Sequence, residues 1–376
     1  MPPFSLLLKL AFLLFVSAAS PLPAAVAQRF AAIGDYGFAG EAEQDVARLV
    51  KSWNPDFILT LGDNNYRTGA ASTIDANIGQ YYHEFIAPYR GRYGPGAPLN
   101  RFFPSLGNHD THTRRGKPYL QYFSLPGNGR YYDFVRGQVH FFVLNSDPTE
   151  RHGTRATSTQ ARWLQARLAA STAVWKVVYF HHPPYSSGGH GSSPKLRWPF
   201  REWGASLVLS GHDHHYERLV ANDLTYCVNG LGGRGTSGPL APPGAGSLVR
   251  YNADYGAQLF DAGPDSLRLR FYTRTGRLVD SFTLRPGQSV APQLLAAYPQ
   301  PRSAAVEYFL PGPAPVEIRL LDAAGQAVAL LHRGPQPAGR HTLQWARGGL
   351  AAGTYFVQLR SGRHQPVLRT LVFQER

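Results

Sequence analysis

Phe57-Ile58-Leu59-Thr60-Leu61-Gly62-Asp63-Asn64-Asn65-Tyr66 is a short apolar run that breaks at a glycine and then presents a carboxylate, two amides and a phenol. The run has the length of a buried strand rather than of a helix. The same grammar recurs at Gly34-Asp35-Tyr36-Gly37, at Gly107-Asn108-His109-Asp110, at Val178-Tyr179-Phe180-His181 and at Gly211-His212-Asp213-His214. Each motif follows apolar and β-branched residues. Each therefore reads as a loop at the carboxyl end of a strand, where open sheets gather their ligands. A single Gly-Asp or Gly-His carries no information, but five such loops over about 180 positions point to a metal site.

The segments between the motifs supply the helices. Glu41 to Trp53 places Val46, Leu49 and Val50 on one face, and Ser158 to Ser171 aligns Ala161, Leu164 and Leu168 behind a capping Thr157 or Ser158. Phe30–Ile33, Phe57–Leu61, Trp175–Phe180 and Leu207–Leu209 read as buried strands. Ser266–Tyr272 and Leu278–Leu284 alternate apolar with polar residues, as an antiparallel pair does. Two packed sheets flanked by helices follow, an α/β fold spanning 28–286. From Gly287 the chain turns Pro-, Ala- and Gln-rich and stays aperiodic to about Pro301. Residues 287–297 read as a linker, and period-two alternation over 298–376 reads as a small all-β sandwich.

Composition narrows the setting. The 376 residues carry a formal charge of +14, and nearly all of the 38 basic residues are arginine. Attraction to phosphate explains this excess, and so does an arginine-rich coding bias. No basic run or aromatic-interleaved stripe marks a nucleic-acid groove. Residues 1–27 read as a cleaved secretory signal: Lys9, the apolar core Leu10 to Ala19, Pro21 and Pro23, then Ala25-Val26-Ala27 before Gln28. The mature chain is expected to have no transmembrane anchor. Cys227 is the only cysteine, so no internal disulfide is available, and its place in Leu224–Val228 makes it a buried strand residue.

The ligand types define the chemistry expected. Asp63 has two oxygens and can bridge two metals about 3.5–4 Å apart. Asp35 offers a hard anion, Asn108 a carbonyl oxygen, and His181, His212 and His214 offer imidazole nitrogens. Tyr66 discriminates among metals. A phenol of pKa about 10 ligates as phenolate only to a strongly charged ion, and ferric iron is the natural candidate.

These five motifs resemble those of purple acid phosphatases, within the calcineurin-like metallophosphoesterase superfamily, over roughly residues 29 to 285. Many two-metal phosphoesterases have Asp-x-His in the first motif. Here Gly37 stands in the histidine's place, and Tyr66 adds a phenol to the same metal. The resemblance implies a four-layer α-β-β-α sandwich of two mixed sheets, with an Ig-like all-β sandwich behind it. It implies a ferric site of Asp35, Tyr66 and His214, and a divalent site (Fe, Zn or Mn) of Asn108, His181 and His212, bridged by Asp63. It also implies hydrolysis of phosphate monoesters by attack of metal-bound hydroxide on phosphorus. His109 would hold phosphate, and His190 would protonate the leaving alkoxide. His182, His215, Asp110 and Glu217 would support the ligands, while His83, His140 and His341 read as ordinary residues. A phosphodiesterase or nucleotide hydrolase on the same scaffold is the enzymatic alternative. A non-catalytic surface-binding protein is the other.

The C-terminal segment resembles the sorting domain of type IX secretion substrates. The residues carrying this are Ala297-Tyr298-Pro299-Gln300-Pro301, VEIRLLDAAGQAV (316–328), PAGRHTLQW (337–345) and GLAAGTYFVQL (349–359). That resemblance implies type IX machinery as partner and export through the periplasm to the medium or the cell surface. A carbohydrate- or surface-binding sandwich is the competing reading.

Overall fold

The computed structural model describes residues 27–375 apart from 239, 245, 289 and 363. The secretory signal read over residues 1–27 lies, but for Ala27, outside the described residues. The first sheet begins with β1 (Gln28–Ile33), β2 (Phe57–Thr60) and β3 (Phe102–Pro104), paired in parallel. The second sheet takes β4 (Tyr132–Arg136), β5 (Val139–Val143), β6 (Trp175–Tyr179), β7 (Leu207–Ser210), β8 (Tyr216–Ala221), β9 (Leu224–Asn229) and β10 (Ser247–Tyr251) in the order β10-β8-β9-β7-β6-β5-β4. The chain then returns to the first sheet with β11 (Gly256–Ala262), β12 (Leu267–Thr273) and β13 (Leu278–Leu284), giving β13-β12-β11-β1-β2-β3. β12 and β13 form the antiparallel pair their alternation predicts.

Apolar residues on both faces of the central strands dictate the layering. Between the sheets, Phe30, Phe57 and Leu59 meet Phe141, Val177 and Leu209. Phe30 stacks on its in-register neighbours Phe57 (5.2 Å) and Phe260 (4.6 Å) and meets Phe141 of the other sheet edge-on at 5.1 Å. Such aromatic pairs add about 0.5–1.5 kcal/mol each beyond their area. The opposite faces bury the helices. Val46, Ala47 and Val50 of the helix Glu41–Ser52 cover the first sheet. Ala161, Leu164 and Leu168 of the helix Thr159–Ala170 cover the second. Ser158 caps that helix, its side chain accepting from the Ala161 N–H, as the sequence reading expects. The result is the four-layer α-β-β-α arrangement. Cys227 is buried on β9.

The remaining chain is all-β. β14 (Gln293–Pro299), β15 (Ser303–Leu310) and β18 (Gly339–Ala346) form one sheet; β16 (Ala314–Leu321), β17 (Ala327–Gln336), β19 (Gly353–Ser361) and β20 (Val367–Phe373) form the other. They enclose a core of Val306, Leu310, Ile318, Leu320, Val357 and Leu359. One sequence expectation changes: much of the aperiodic stretch read as linker, 287–297, is strand from Gln293 onward. Leu294 of that stretch is buried in the sandwich, and pairing with β15 holds β14 in place of any alternation of its own. Among the described residues no helix is long and apolar enough to cross a membrane.

Candidate metal centre

The five motifs leave the carboxyl ends of β1, β2, β3, β6 and β7, and because the two sheets face each other their loops meet at one end of the sandwich. The turns are tight. Asp35, Asp63 and His212 have φ of 55°, 52° and 72°, in the left-handed region. Aspartate tolerates this through local hydrogen bonds. Histidine does so only at a cost that the surrounding structure has to offset, a pattern typical of functional loops. Two glycines make room. A Cβ on Gly62 would sit 2.5 Å from His181 Nδ1, and one on Gly107 would sit 2.1 Å from Asp63 Oδ1.

All seven sequence-predicted ligands converge. On one side, Tyr66 Oη lies 2.9 Å from Asp35 Oδ1 and 3.5 Å from His214 Nε2, which is itself 3.5 Å from Asp35 Oδ1. On the other, His181 Nε2 lies 3.0 Å from Asn108 Oδ1 and 3.2 Å from His212 Nδ1. Asp63 stands between the two clusters. Its Oδ2 is 3.4 Å from His181 Nε2, its carboxylate also faces the Tyr66 hydroxyl, and its Oδ1 accepts from the His109 N–H at 2.9 Å. Asp35 is tied across the sandwich as well, since its Oδ2 accepts from the His212 N–H at 2.7 Å.

The donor set fits cations. His181 Nδ1 hydrogen-bonds the Leu61 carbonyl at 2.8 Å, which orients the ring and aims Nε2 at Asn108, Asp63 and His212. Asn108 Oδ1, Asp63 Oδ2 and His212 Nδ1 all lie within 3.4 Å of His181 Nε2, a set of acceptors that positive charge at this point satisfies. The acid–base balance agrees. Burial opposes charge on His181, yet the carboxylates of Asp63 and Asp35 outweigh it and lift the ring to about 10. Burial likewise opposes charge on Asp63, and His181 and His109 overcome it, holding the carboxyl below its ordinary range. Burial, then the carboxylates of Asp35 and Asp63, push the Tyr66 phenol well up. A phenol held this way keeps its proton unless a strongly charged cation sits beside it.

The flanking residues sit in two groups. His109 is a third exposed; its Nδ1 meets the Arg67 carbonyl at 2.5 Å, its Nε2 stands 3.9 Å from Asp63 Oδ2, and its ring lies 4.4 Å from that of Tyr66. His190 is exposed, with its ring 4.5 Å from that of His212 and 6.1 Å from that of His214. Asp110 accepts from the backbone N–H groups of Gly107 and Asn64, and Glu217 joins His215 to the Ser187 loop. His182 pairs with Ser146, and its ring lies tilted 4.4 Å from that of His212. His140 bridges Asp133 and Ser171 in a wholly structural setting.

Two residues escaped the sequence reading. Asp213 is buried and gathers the loop of His190: its carboxylate accepts from the His190 N–H at 2.7 Å and from the Ser186 hydroxyl. Arg234 leans on Phe38 (4.7 Å) and Tyr66 (5.3 Å), and its buried Nε has no hydrogen-bond partner among the described residues. The strand-to-glycine pattern Val228-Asn229-Gly230, followed by Gly232-Gly233-Arg234, repeats the grammar of the five motifs and was the available signal for it.

Facing mixed sheets whose strand ends carry carboxylates, histidines and an amide around one centre define a metallophosphoesterase. The model of the calcineurin-like phosphoesterase family matches residues 28–216, half of the chain, and the chain belongs to that family. Its relatives include purple acid phosphatases at low identity. It is 27% identical over 244 residues to human tartrate-resistant acid phosphatase type 5, covering 55% of this chain and 73% of that protein. It is 26% identical over 249 residues to purple acid phosphatase 17 of Arabidopsis thaliana, covering 57% and 70%. The fold is that of the purple acid phosphatase PPD1 from yellow lupin (TM-score 0.57, 19% identity, 69% of this chain and 54% of that one). It is also that of GAP50, the anchor in the inner membrane complex of Plasmodium (TM-score 0.54, 18% identity, 70% and 90%).

Proposed function

We propose that this chain is a secreted purple acid phosphatase that hydrolyses phosphate monoesters at a ferric–divalent centre. The observation that carries the reading is the meeting of Tyr66 Oη, Asp35 Oδ1 and His214 Nε2 within 3.5 Å, with Asp63 joining them to the cluster of His181, Asn108 and His212. Tyr66, Asp35 and His214 would hold the ferric ion, Asn108, His181 and His212 would hold Fe, Zn or Mn in the divalent state, and Asp63, which stands between the two clusters, would serve both. Bound there, the ions supply positive charge to the phosphate oxygens and acidify a water toward neutral pH.

The chain's own groups do the rest. His109 is anchored through Nδ1 and turns Nε2 toward the centre, so it holds a phosphate oxygen. His190, at the solvent edge beside His212, gives its proton to the leaving alkoxide. Asp213 keeps the loop of His190 in place through its backbone. Arg234, free of any carboxylate partner among the described residues and lying over the Tyr66 ring, adds a further positive charge for the phosphate.

Export completes the proposal. Residues 1–27 direct the chain to the periplasm, 28–286 are the catalytic domain, and the sandwich over 298–376 is read by type IX machinery for release or surface attachment. A phosphodiesterase remains the second enzymatic reading, since the same centre accommodates a diester. The non-catalytic reading loses support because every donor is present.

Metal analysis with a visible spectrum, together with paired assays on an aryl phosphate monoester and its diester, tests the proposal. Iron, a broad visible band and monoester preference are expected. A colourless iron protein would refute the phenolate assignment, and diester preference would refute the monoester one.

A further inference from the structure

The rim of the centre beyond His109 carries an arrangement that one phosphate does not use. Loop 66–69 and loop 109–117 are fastened to each other. His109 Nδ1 meets the Arg67 carbonyl, the Thr113 hydroxyl donates to the Thr68 carbonyl at 2.6 Å, and Gly69 packs against the Asp110 backbone. Arg67, Arg114, Arg115 and Lys117 are all exposed on this double loop, and among the described residues none makes an ion pair. The carboxylates of the neighbourhood, Asp63, Asp110 and the Asp147 that accepts from the Thr111 hydroxyl, are buried beneath it. His112 continues the row, its ring 5.2 Å from that of His109. Unpaired surface arginines repel one another unless an anion joins them.

The backbone adds a second observation. Arg114 and Arg115 both adopt left-handed φ, 50° and 54°. For residues other than Gly, Asn and Asp this costs on the order of 1–2 kcal/mol apiece. A turn built for stability alone would carry glycine or asparagine there. Strain of this kind, held in place by packing, gathers where a ligand is met.

We infer that this double loop is a subsite for a second phosphate, and that the enzyme's substrates are phosphate esters whose leaving group is itself phosphorylated. The inference rests on the hydrolase reading of the metal centre. Water supplies the oxygen that bonds to the scissile phosphorus, the P–O bond to the leaving group breaks (an ester bond in a sugar bisphosphate, an anhydride bond in a nucleoside diphosphate), and water's proton balances the one taken by the leaving oxygen. The second phosphate departs unchanged with the leaving group. Arg67, Arg114 and Arg115 hold it by charge-assisted hydrogen bonds, for which the guanidinium fork is suited.

The test compares a sugar monophosphate with the matching sugar bisphosphate, and a nucleoside monophosphate with its diphosphate, on the metal-loaded full chain. The paired variant Arg114→Asn/Arg115→Asn removes both charges while asparagine accepts the left-handed backbone. The pair Arg114→Lys/Arg115→Lys keeps them. The wild type is expected to favour the doubly phosphorylated member in kcat/KM. In the Asn pair that preference ratio should fall about 5- to 10-fold, from up to roughly fivefold for each exposed ion pair lost, and the Lys pair should retain most of it. Loss with the sugars alone assigns the subsite to a phosphate separated by a carbon skeleton; loss with the nucleotides alone assigns it to an adjacent one. An unchanged ratio in the Asn pair for both sets overturns the inference. If no substrate of either kind is turned over, the phosphatase reading itself has failed. Calorimetric affinity for the sugar bisphosphate then judges the subsite alone, and equal affinity in wild type and Asn pair overturns it.

Discussion

Substituting Gly62 by alanine probes the centre without replacing any of the side chains proposed as ligands. The new Cβ would fall 2.5 Å from Nδ1 and 2.7 Å from Cβ and Cγ of His181, where ordinary contact begins at 3.4 Å, so the imidazole has to retreat by about 0.9 Å. Retreat breaks the 2.8 Å hydrogen bond from Nδ1 to the Leu61 carbonyl and carries Nε2 away from Asn108 and Asp63. Metal–ligand distances tolerate about 0.2 Å, and losing an orienting partner costs about 10- to 100-fold in metal affinity. Gly62 also sits at φ 90°, which penalises alanine. That penalty and the overpacking together cost about 2–5 kcal/mol, or about 4–20 °C in Tm for a domain of this size. The assay has two arms. Melting of the metal-free protein measures the strain, and metal content by elemental analysis with dissociation under a chelator measures the centre. One metal per chain is expected to become labile while the other stays. If the folded variant holds both metals with wild-type affinity, His181 is not a ligand and the divalent assignment falls.

Other outcomes follow from the same geometry. Tyr66→Phe should abolish the visible band of the oxidised protein while iron content and fold persist; a band that survives removes the phenol from the iron's ligands. Asp63→Ala should lose more activity than His109→Ala or His190→Ala, because one loss disturbs both metals whereas each of the others removes a single group with an effect of about 10²–10⁴-fold. His190→Ala should hurt poor leaving groups most, and equal losses across a leaving-group series would exclude it as the proton donor. A chain ending near Arg285 should keep fold, metals and turnover in vitro, since every donor precedes β8 and the C-terminal sandwich has its own core. In a host with type IX secretion the same truncation should leave activity in the periplasmic fraction; its appearance in the medium would contradict the sorting role.

Much of this protein was legible in local pattern. The strand-then-glycine motifs, the amphipathic helix with its Ser158 cap, the alternation of β12, β13 and β16, and the burial of Cys227 all depend on neighbours within a few positions, and linear periodicity reports those. The candidates Asp35, Asp63, Tyr66, Asn108, His181, His212 and His214 could be picked out for the same reason: each stands in a loop that follows an apolar run. Their assembly was another matter. The Asp35 carboxylate receives the N–H of His212 from 177 positions away, and that contact exists only because β1 pairs with β2 and β11 while β7 lies in the facing sheet. Strand order is set by long-range pairing and by which faces are apolar, and no window of sequence contains it. The same holds for β14, which lacks alternation and is a strand because β15 offers it an edge. It holds for Asp213, whose neighbours His212 and His214 read as ligands while its own side chain turns away to hold the loop of His190. It holds too for Arg67 and Arg114, 47 positions apart in the chain and brought onto one rim by two hydrogen bonds between loops. Residue type and local spacing determined which chemistry was available. The packing of two sheets, driven by the apolar area between them, decided which of those groups share a centre and which stand at its edge.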